Sequence, residues 1–231
     1  MKAIHFLCCA HDFKPYYILR LLLEEGDLDG YSILLMTDDQ EGRVIDLCKK
    51  YLIPYTVIDN HMDNFQNIKS ETEYDNTILV SLGWSNLVPK SVLDQYAKCI
   101  NCHGGYLPDY RGASAYMAVY ANIEKEYGVT IHYMTENFDN GNIIKQVKLK
   151  LFLEETPRII HYRMCELIAF ILPESIRLAF ENYPGKCQKG RVRFFNRLSR
   201  MEMDRLRNQN IDNLIEGKKL ETAACKEWNL D

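Results

Sequence analysis

The sequence predicts an α/β fold of the doubly wound kind, in which a mainly parallel, Rossmann-like sheet has helices on both faces. Apolar runs such as KAIHFLCCA and YSILLMTDD alternate along the chain with helical patterns such as YYILRLLLEEG and GRVIDLCKKYLI. The runs are apolar at nearly every position, which is typical of strands buried on both faces. Strands and helices that alternate in this order favour a parallel sheet.

The remaining elements follow from the same kinds of pattern. YTVID, NTILVSLGW and KCINCHG are predicted strands, and PKSVLDQY is a predicted short helix. ASAYMAVYANIEKEYG is predicted to be helical because its large apolar residues fall on one helical face. VTIHYMT and NIIKQVKLKLF, joined by ENFDNG, are predicted to pair as antiparallel strands. TPRIIHYRMCELIAFILPESIRLAFENYPG predicts a long helix that Pro173 kinks and that ends at Pro184 and Gly185.

Length and charge limit the domain count and the partners. The chain has 231 residues, of which 47% are apolar, so we expect one core with an appendage. We place a main domain at residues 1–183 and a short C-terminal helix and strand extension at residues 184–231. The net charge of −4 and the pI near 5.9 argue against nucleic acid as the partner. We find no signal-peptide pattern and no apolar run that fits a bilayer, so we expect a cytoplasmic protein without a membrane partner.

The cysteines and the basic segment suggest structural roles. The eight cysteines, including Cys8 and Cys9 inside a predicted strand, are typical of a reducing compartment. Cys99 and Cys102 form a C-x-x-C, but no second pair follows at zinc spacing, and we predict no metal site. Residues 186–207 contain eight Lys or Arg and two acidic residues, which we interpret as a solvated or subunit-facing surface. Within it, RVRFF is predicted to pair with a nearby strand close to a homodimer contact, and SRMEMDRLR is predicted to be helical.

The segment CINCHGGYLPDYRGAS, residues 99–114, indicates a binding site at a strand end. Ligands of open α/β sheets bind beyond the carboxyl ends of the strands. Residues two apart on a strand project from the same face, so Asn101 and His103 should point together while Cys102 points away. We expect Gly104 and Gly105 to let the chain turn and a ligand approach. On its own, however, an Asn-x-His more often only finishes a strand.

A second block, GVTIHYMTENFDNGNIIKQ, begins 25 residues after His103. Together the two blocks resemble the formyltransferases that use 10-formyltetrahydrofolate, and the resemblance covers residues 1–180 in the order of elements. The family pattern is Asn-x-His, Leu-Pro, Arg-Gly, Gly-Val-Thr and Asp-x-Gly. Its counterparts here are Asn101 and His103, Leu107 and Pro108, Arg111 and Gly112, residues 128–130, and Asp139 with Gly141.

The resemblance implies a catalytic set and a cofactor, 10-formyltetrahydrofolate. Asn101, His103 and Asp139 are the implied catalytic residues. An Asn amide can donate to an oxyanion, a His can take or relay a proton near neutral pH, and an Asp can orient the imidazole. SLGWSNLVPKSVL resembles the segment that holds the folate pterin. The implied cofactor-binding residues are Leu82, Trp84, Leu87, Val88, Phe138, Asn140 and Gly141.

Departures from the family pattern narrow the choice of acceptor amine. Glycinamide ribonucleotide transformylases have a glycine-rich phosphate loop after the first strand, whereas CCAHDFKPYY has no glycine. Methionyl-tRNA formyltransferases carry a further β-rich domain, whereas 46 residues follow Gly185 here. Both families usually have Ser-Leu where this chain has Gly105-Tyr106. The chain therefore most resembles the sugar-nucleotide N-formyltransferases of bacterial polysaccharide (O-antigen, lipopolysaccharide) synthesis, with dTDP-4-amino-4,6-dideoxyglucose as the expected acceptor and a homodimer as the expected assembly.

The expected acceptor contacts follow from its diphosphate and its base. Two phosphates require cationic or N–H donors, and Arg111 and Lys14 are the predicted contacts. Tyr106 and Tyr110 are predicted to contact the base or the sugar. Two alternatives stay open. The chain could act on another amine, glycinamide ribonucleotide or methionyl-tRNA, or it could be a folate- or nucleotide-binding module without activity.

Overall fold

The computed structural model describes residues 1–58, 74–113, 115–221 and 226–230. Its main feature is a seven-stranded sheet in the order β3-β2-β1-β4-β5-β6-β7. The strands are β1 (Ala3–Cys8), β2 (Ser32–Thr37), β3 (Tyr55–Val57), β4 (Thr77–Ser81), β5 (Lys98–His103), β6 (Glu126–Tyr133) and β7 (Ile143–Lys150). The first five pair in parallel, whereas β6 and β7 are added antiparallel. The predicted doubly wound α/β fold is confirmed.

The helices cover the two faces of this sheet unequally. They are α1 (Phe13–Glu24), α2 (Arg43–Tyr51), α3 (Lys90–Leu93), α4 (Ala115–Ala121), α5 (Pro157–Phe180) and α6 (Arg200–Ile215). One face packs strand residues such as Phe6 and Ile100 in a large cluster with α1, α2, α4 and α5. The opposite face packs Leu7, Leu79 and Cys99 in a smaller cluster that includes Val92 of α3.

The topology places a crevice beside β1. From β1 the chain proceeds outward through β2 to β3, and then returns to β4 on the other side of β1 and continues to β5. The direction of winding therefore reverses between β1 and β4. In open α/β sheets this switch point leaves a crevice at the carboxyl ends of the strands, where ligands bind. Asn101 and His103 end β5, next to this point.

Four elements differ from their predictions. The helix predicted in ASAYMAVYANIEKEYG ends at Ala121, because Ile123 has a left-handed φ of 52°. β6 starts at Glu126, where the backbone pairs with the end of β7. α5 ends at Phe180, before the predicted stop, and passes through Pro173 without a break. α6 continues to Ile215, beyond the predicted SRMEMDRLR, and begins with a capping box between Ser199 and Glu202.

The C-terminal extension packs against the main domain. Its strand β8 (Gly190–Phe194) pairs antiparallel with β9 (Lys226–Leu230), which confirms that RVRFF pairs with a strand. Phe195 is fully buried in the large core cluster, and Phe194 forms a parallel bridge with Arg111. The extension therefore shares the core of residues 1–183. The placement of a homodimer contact near β8 stays a prediction.

Among the described residues, no helix is both long and apolar enough to cross a bilayer. No group of three or more His, Cys, Asp or Glu side chains in that part of the chain is arranged to hold a metal ion. Cys99 and Cys102 are both buried as free thiols, and burial raises the pKa of each to about 12.

Candidate active site at the carboxyl ends of the strands

A cleft of about 530 Å³ opens where the winding reverses. The ends of β4 and β5 form its floor, through Ser81, Asn101 and His103. Asn101 and His103 share one face of β5, whereas Cys102 belongs to the large cluster on the other face. The prediction that the two polar side chains point together into the main cleft is confirmed.

Asp139, in the loop between β6 and β7, is the centre of the polar groups in this cleft. One of its oxygens, Oδ1, lies 3.3 Å from Asn101 Nδ2, 3.3 Å from His103 Nδ1 and 3.5 Å from His132 Nε2. The other, Oδ2, accepts a hydrogen bond of 2.8 Å from the backbone N–H of Gly112. The side chain of Asp139 is only 8% exposed. The fold thus brings together the three catalytic residues predicted from the sequence.

Asp139 stays ionised although its side chain is buried. Burial alone would raise the pKa of this carboxyl, but the two neighbouring histidines and the Gly112 N–H outweigh it, and the pKa is lowered. Its backbone φ is 51°, in the left-handed region that costs a non-glycine residue energy. Asp139 is therefore held as a carboxylate in a conformation that its surroundings must enforce.

His103 has its two ring nitrogens in different environments. Nε2 lies 2.7 Å from the carbonyl oxygen of Tyr110, and because a carbonyl only accepts, Nε2 must carry a hydrogen. The neutral ring therefore leaves its lone pair on Nδ1, which faces Asp139. Burial lowers the pKa of His103 from 6.5, although the Asp139 carboxylate and the hydrogen bond to Tyr110 oppose this shift. At neutral pH, Nδ1 is available to accept a proton.

His132 is a buried part of this cluster that the sequence analysis missed. Its Nδ1 lies 2.8 Å from the carbonyl oxygen of Tyr133, which assigns a hydrogen to Nδ1. Nε2 can then accept from Asn101 Nδ2 at 3.2 Å. β5 and β6 pair antiparallel with Asn101 opposite His132, and this pairing was not predicted. The histidine is visible in the motif VTIHYMT, but only the strand register shows that His132 and Asn101 are neighbours.

The glycines after His103 serve packing more than ligand access. A Cβ on Gly105 would lie 2.4 Å from the Tyr110 carbonyl oxygen and 2.7 Å from His103 Nε2. A Cβ on Gly104 would lie 2.5 Å from the sulfur of Met164. Gly104 does line the cleft, but Gly105 is needed because the carbonyl that fixes the His103 ring occupies its side-chain space. The expectation that both glycines make room for a ligand is thereby corrected.

The predicted cofactor-binding residues divide into two groups. Trp84, Leu87, Val88 and Phe138 line the cleft, and Leu87 and Phe138 are 45% and 46% exposed. Trp84 Nε1 is buried without a hydrogen-bond partner among the described residues. The other three predicted residues lie outside the lining, because Leu82 is part of the core, Asn140 is exposed, and the Gly141 carbonyl accepts from Gln188.

Of the predicted substrate contacts, only Lys14 lines the cleft, where its Nζ donates to the Cys102 carbonyl. Tyr110 is buried, stacked on Phe195 with ring centroids 4.6 Å apart, and its hydroxyl is engaged by Glu124 and Asn122. The predicted contact of this side chain with substrate is therefore wrong.

The predictions for Arg111 and Tyr106 need the same correction. Arg111 donates through Nη2 to Gln188 Oε1 at 2.6 Å. The Tyr106 ring lies under the Lys148 ammonium, 4.5 Å away, and against Gly128. Neither residue is part of the cleft lining. Both residues were predicted as contacts because they follow His103 closely in the sequence. The direction of each side chain depends instead on partners that are distant in sequence.

The extension contributes to the site in two ways that were not predicted. Residues 194–198 form part of the cleft lining. In addition, Gln188 Nε2 donates to the carbonyl oxygens of Asp139 at 2.9 Å and Gly141 at 2.8 Å. Gln188 thereby connects the loop that carries Asp139 to Arg111. The composition of the extension did not predict this role, because Gln188 contacts residues almost fifty positions earlier in the chain.

Comparison with known proteins agrees with this arrangement. Residues 23–176 match the family model described as Formyl transferase. A methionyl-tRNA formyltransferase of Methylacidiphilum infernorum is 36% identical over 171 residues, which cover 67% of this chain and 52% of that protein. The chain thus spans about half the length of this relative, and 40% of the length of a methionyl-tRNA formyltransferase of Alkaliphilus oremlandii.

Solved structures show the same fold. A phosphoribosylglycinamide formyltransferase of Bacillus halodurans superposes with a TM-score of 0.66 at 24% identity, covering 78% of this chain and 95% of that one. An N-formyltransferase of Helicobacter canadensis, in complex with folinic acid and dTDP-3-aminofucose, has a TM-score of 0.60 at 18% identity, covering 81% and 68%. With the family model matched over most of the main domain, the chain belongs to the formyl transferase family.

Proposed function

We propose that this protein transfers a formyl group from 10-formyltetrahydrofolate to an amine. The observation that carries the proposal is the convergence of Asn101, His103 and His132 on one oxygen of Asp139, at the end of β5 and inside the cleft. Formyl transfer develops negative charge on the formyl oxygen and releases a proton from the amine. It therefore needs a donor and a proton acceptor close together.

The apolar end of the cleft fits the folate. Leu87 and Phe138 expose large apolar surface into the cleft, and Trp84 has a buried N–H without a partner among the described residues. Flat heteroaromatic groups with acceptor atoms suit such a lining. Trp84, Leu87, Val88 and Phe138 would hold 10-formyltetrahydrofolate, which supplies the formyl group when it is bound.

His103 is the proposed proton acceptor, at Nδ1. Nε2 is occupied by the Tyr110 carbonyl, so the proton of the amine can enter only at the nitrogen that faces Asp139. The imidazolium that forms is stabilised by this carboxylate, 3.3 Å away. As the bond from the amine to the formyl carbon forms and the bond from that carbon to the donor nitrogen breaks, the proton on His103 would pass to the nitrogen of the departing tetrahydrofolate. Asp139 thus favours the protonated ring and offsets part of the effect of burial, which lowers the His103 pKa.

Asn101 is the proposed donor to the formyl oxygen. Its Nδ2 has two hydrogens, which point to His132 Nε2 and to Asp139 Oδ1 at 3.2 and 3.3 Å. Both contacts are long for hydrogen bonds, so a developing oxyanion can compete for one of these hydrogens. His132, which accepts at Nε2, keeps the amide nitrogen directed toward the reaction centre.

For the acceptor, we propose a nucleotide-linked amino sugar, with dTDP-4-amino-4,6-dideoxyglucose as the first candidate. The absence of glycine in the loop after β1 and the Gly105-Tyr106 pair support it over glycinamide ribonucleotide. The fold is also that of an N-formyltransferase crystallised with dTDP-3-aminofucose. A role in polysaccharide synthesis, a cytoplasmic location and a homodimer belong to the same proposal.

Methionyl-tRNA is the second candidate acceptor. It is favoured by the relatives of that name, of which one is 36% identical to this chain. The test is to incubate the protein with 10-formyltetrahydrofolate and each acceptor separately: dTDP- and UDP-linked 3-amino and 4-amino sugars, glycinamide ribonucleotide and methionyl-tRNA. Tetrahydrofolate release and formylated product are measured. Product with methionyl-tRNA alone would replace the sugar proposal, and folate binding without product from any acceptor would leave a binding module.

Three substitutions test the catalytic assignment. Asn101→Ala, His103→Ala and Asp139→Ala should each lower kcat by roughly 100-fold or more, because a positioned donor or base contributes about that much. The combined loss should be far smaller than the product of the single losses, since the residues act as one unit. Unchanged turnover in His103→Ala, with the dichroism spectrum of the wild type, would reject its role.

A further inference from the structure

The cleft contains a cation from the C-terminal extension, Arg197. Phe195 is fully buried and its backbone N–H donates to the Arg111 carbonyl at 2.8 Å, which fixes the chain just before Arg197. Arg197 lines the cleft and is exposed. Its guanidinium has no hydrogen bond or ion pair with another described residue. Its charge acts on Asp12 and Tyr116, which line the same cleft.

A second cation of the cleft, Lys14, comes from the first turn of α1. Lys14 lines the cleft, and its Nζ donates to the carbonyl of Cys102, the residue between Asn101 and His103. Its charge also acts on His103 and His161. Lys14 therefore lies beside the proposed reaction centre, with two further donor hydrogens beyond the one it gives to Cys102.

Asp12 is the acidic side chain that accompanies these two cations. Burial raises the pKa of Asp12, and the charges of Lys14 and Arg197 oppose this shift. Asp12 is the N-cap residue of α1, but its side chain makes no capping hydrogen bond. Lys14, Arg197 and ionised Asp12 together carry one net positive charge, so an anion bound here would be attracted by the cations and repelled by Asp12.

We propose that Arg197 and Lys14 form an anion site for the phosphate groups of the acceptor, with Arg197 as the specificity-determining residue. The inference deepens the proposed function and rests on it for the identity of the acceptor. A guanidinium offers paired N–H donors that match phosphate oxygens, and an ammonium adds a point charge. Both cations line the same cleft as Asn101 and His103, so they are placed to receive the diphosphate of a nucleotide-linked amino sugar whose amine reaches His103.

The first test measures anion binding without any reaction. Inorganic pyrophosphate is titrated by calorimetry, at low ionic strength, into the wild type, Arg197→Ala and Arg197→Lys. Arg197→Ala should weaken binding about tenfold or more, since a hydrogen bond to a charged group is worth roughly that factor. Arg197→Lys should lose less because it keeps the charge. Asp12→Asn should strengthen binding, because it removes the opposing carboxylate.

Arg200→Ala is the matched control. Arg200 is a highly exposed arginine only three residues further along, at the start of α6, and its Nε lies 3.8 Å from Asp204 outside the cleft lining. Its substitution should leave pyrophosphate binding unchanged. Equal weakening by Arg197→Ala and Arg200→Ala would show general attraction to a basic surface and would overturn the site. The absence of measurable binding by the wild type would overturn it as well.

The second test separates this inference from the proposed function. With an active acceptor, Arg197→Ala should raise the KM for the acceptor about tenfold or more and leave the KM for the folate donor unchanged. Wild-type turnover with an unchanged acceptor KM in Arg197→Ala would refute the anion site and leave the proposed function standing. Conversely, pyrophosphate binding that depends on Arg197, in a protein that formylates none of the acceptors, would refute the proposed function and support the site.

Discussion

Gln188 offers a demanding test of how the extension serves the site. Its Nε2 donates to the carbonyl oxygens of Asp139 and Gly141, and its Oε1 accepts from Arg111. Gln188→Leu removes all three hydrogen bonds at nearly constant size. Gln188→Glu keeps an acceptor for Arg111 but replaces the donor with a carboxylate oxygen that faces two carbonyl oxygens.

The expected magnitudes follow from these contacts. A neutral hydrogen bond contributes about 1 kcal/mol and one to a charged group about 1.5 to 3 kcal/mol. Because Gln188 is half-buried, we expect Gln188→Leu to lower the free energy of unfolding by about 2 to 4 kcal/mol. Gln188→Glu should cost less, since its pair with Arg111 remains. Both should lower kcat by roughly 10- to 100-fold, because Asp139 is no longer held in its left-handed conformation.

The assay compares steady-state kinetics with urea unfolding for both variants. Gln209→Leu is the control, because Gln209 also accepts from an arginine, at 3.0 Å, but on the exposed surface of α6. It should leave kcat unchanged. If Gln188→Glu kept the wild-type kcat and the wild-type pH dependence of the rate, the two bonds to the Asp139 loop would be shown not to position it. If kcat fell only in proportion to the unfolded fraction, the role of Gln188 would be structural.

Three further predictions concern single residues. Cys102→Ala should leave kcat within about twofold of the wild type, because its thiol points into the core on the face away from His103; a hundredfold loss would contradict the assigned faces. Gly105→Ala should lower kcat by at least tenfold at small cost in folate affinity, since its Cβ would displace the carbonyl that accepts from His103; unchanged kinetics would show that this hydrogen bond is dispensable. The free energy of unfolding, measured in urea, should fall as the pH drops from about 6.5 to 4. Burial lowers the pKa of both His5 and His161 to about 4, so the unfolded chain takes up these protons first. Each can contribute up to roughly 3 kcal/mol, and equal stability at pH 7 and pH 5 would refute the buried neutral state.

The sequence by itself determined the fold class and the catalytic candidates of this protein. Strand residues buried on both faces are apolar at nearly every position, so the parallel core could be predicted from local composition. Asn101 and His103 were predicted to share a face because alternation along a strand is a local property of the backbone. Asp139 was predicted because its loop resembles the family's Asp-x-Gly segment. In the structure its Oδ1 lies 3.3 Å from Asn101 Nδ2 and 3.3 Å from His103 Nδ1.

Only the tertiary structure decided which other side chains face the cleft. Arg111 stands next to the motif in sequence but turns to Gln188, whereas Arg197, far along the chain, enters the cleft. His132 became part of the cluster through the antiparallel register of β5 and β6. The physical reason is that a side chain takes the direction in which its polar atoms find partners and its apolar atoms leave water. Those partners are supplied by segments that are distant in sequence, so no local pattern carries the information.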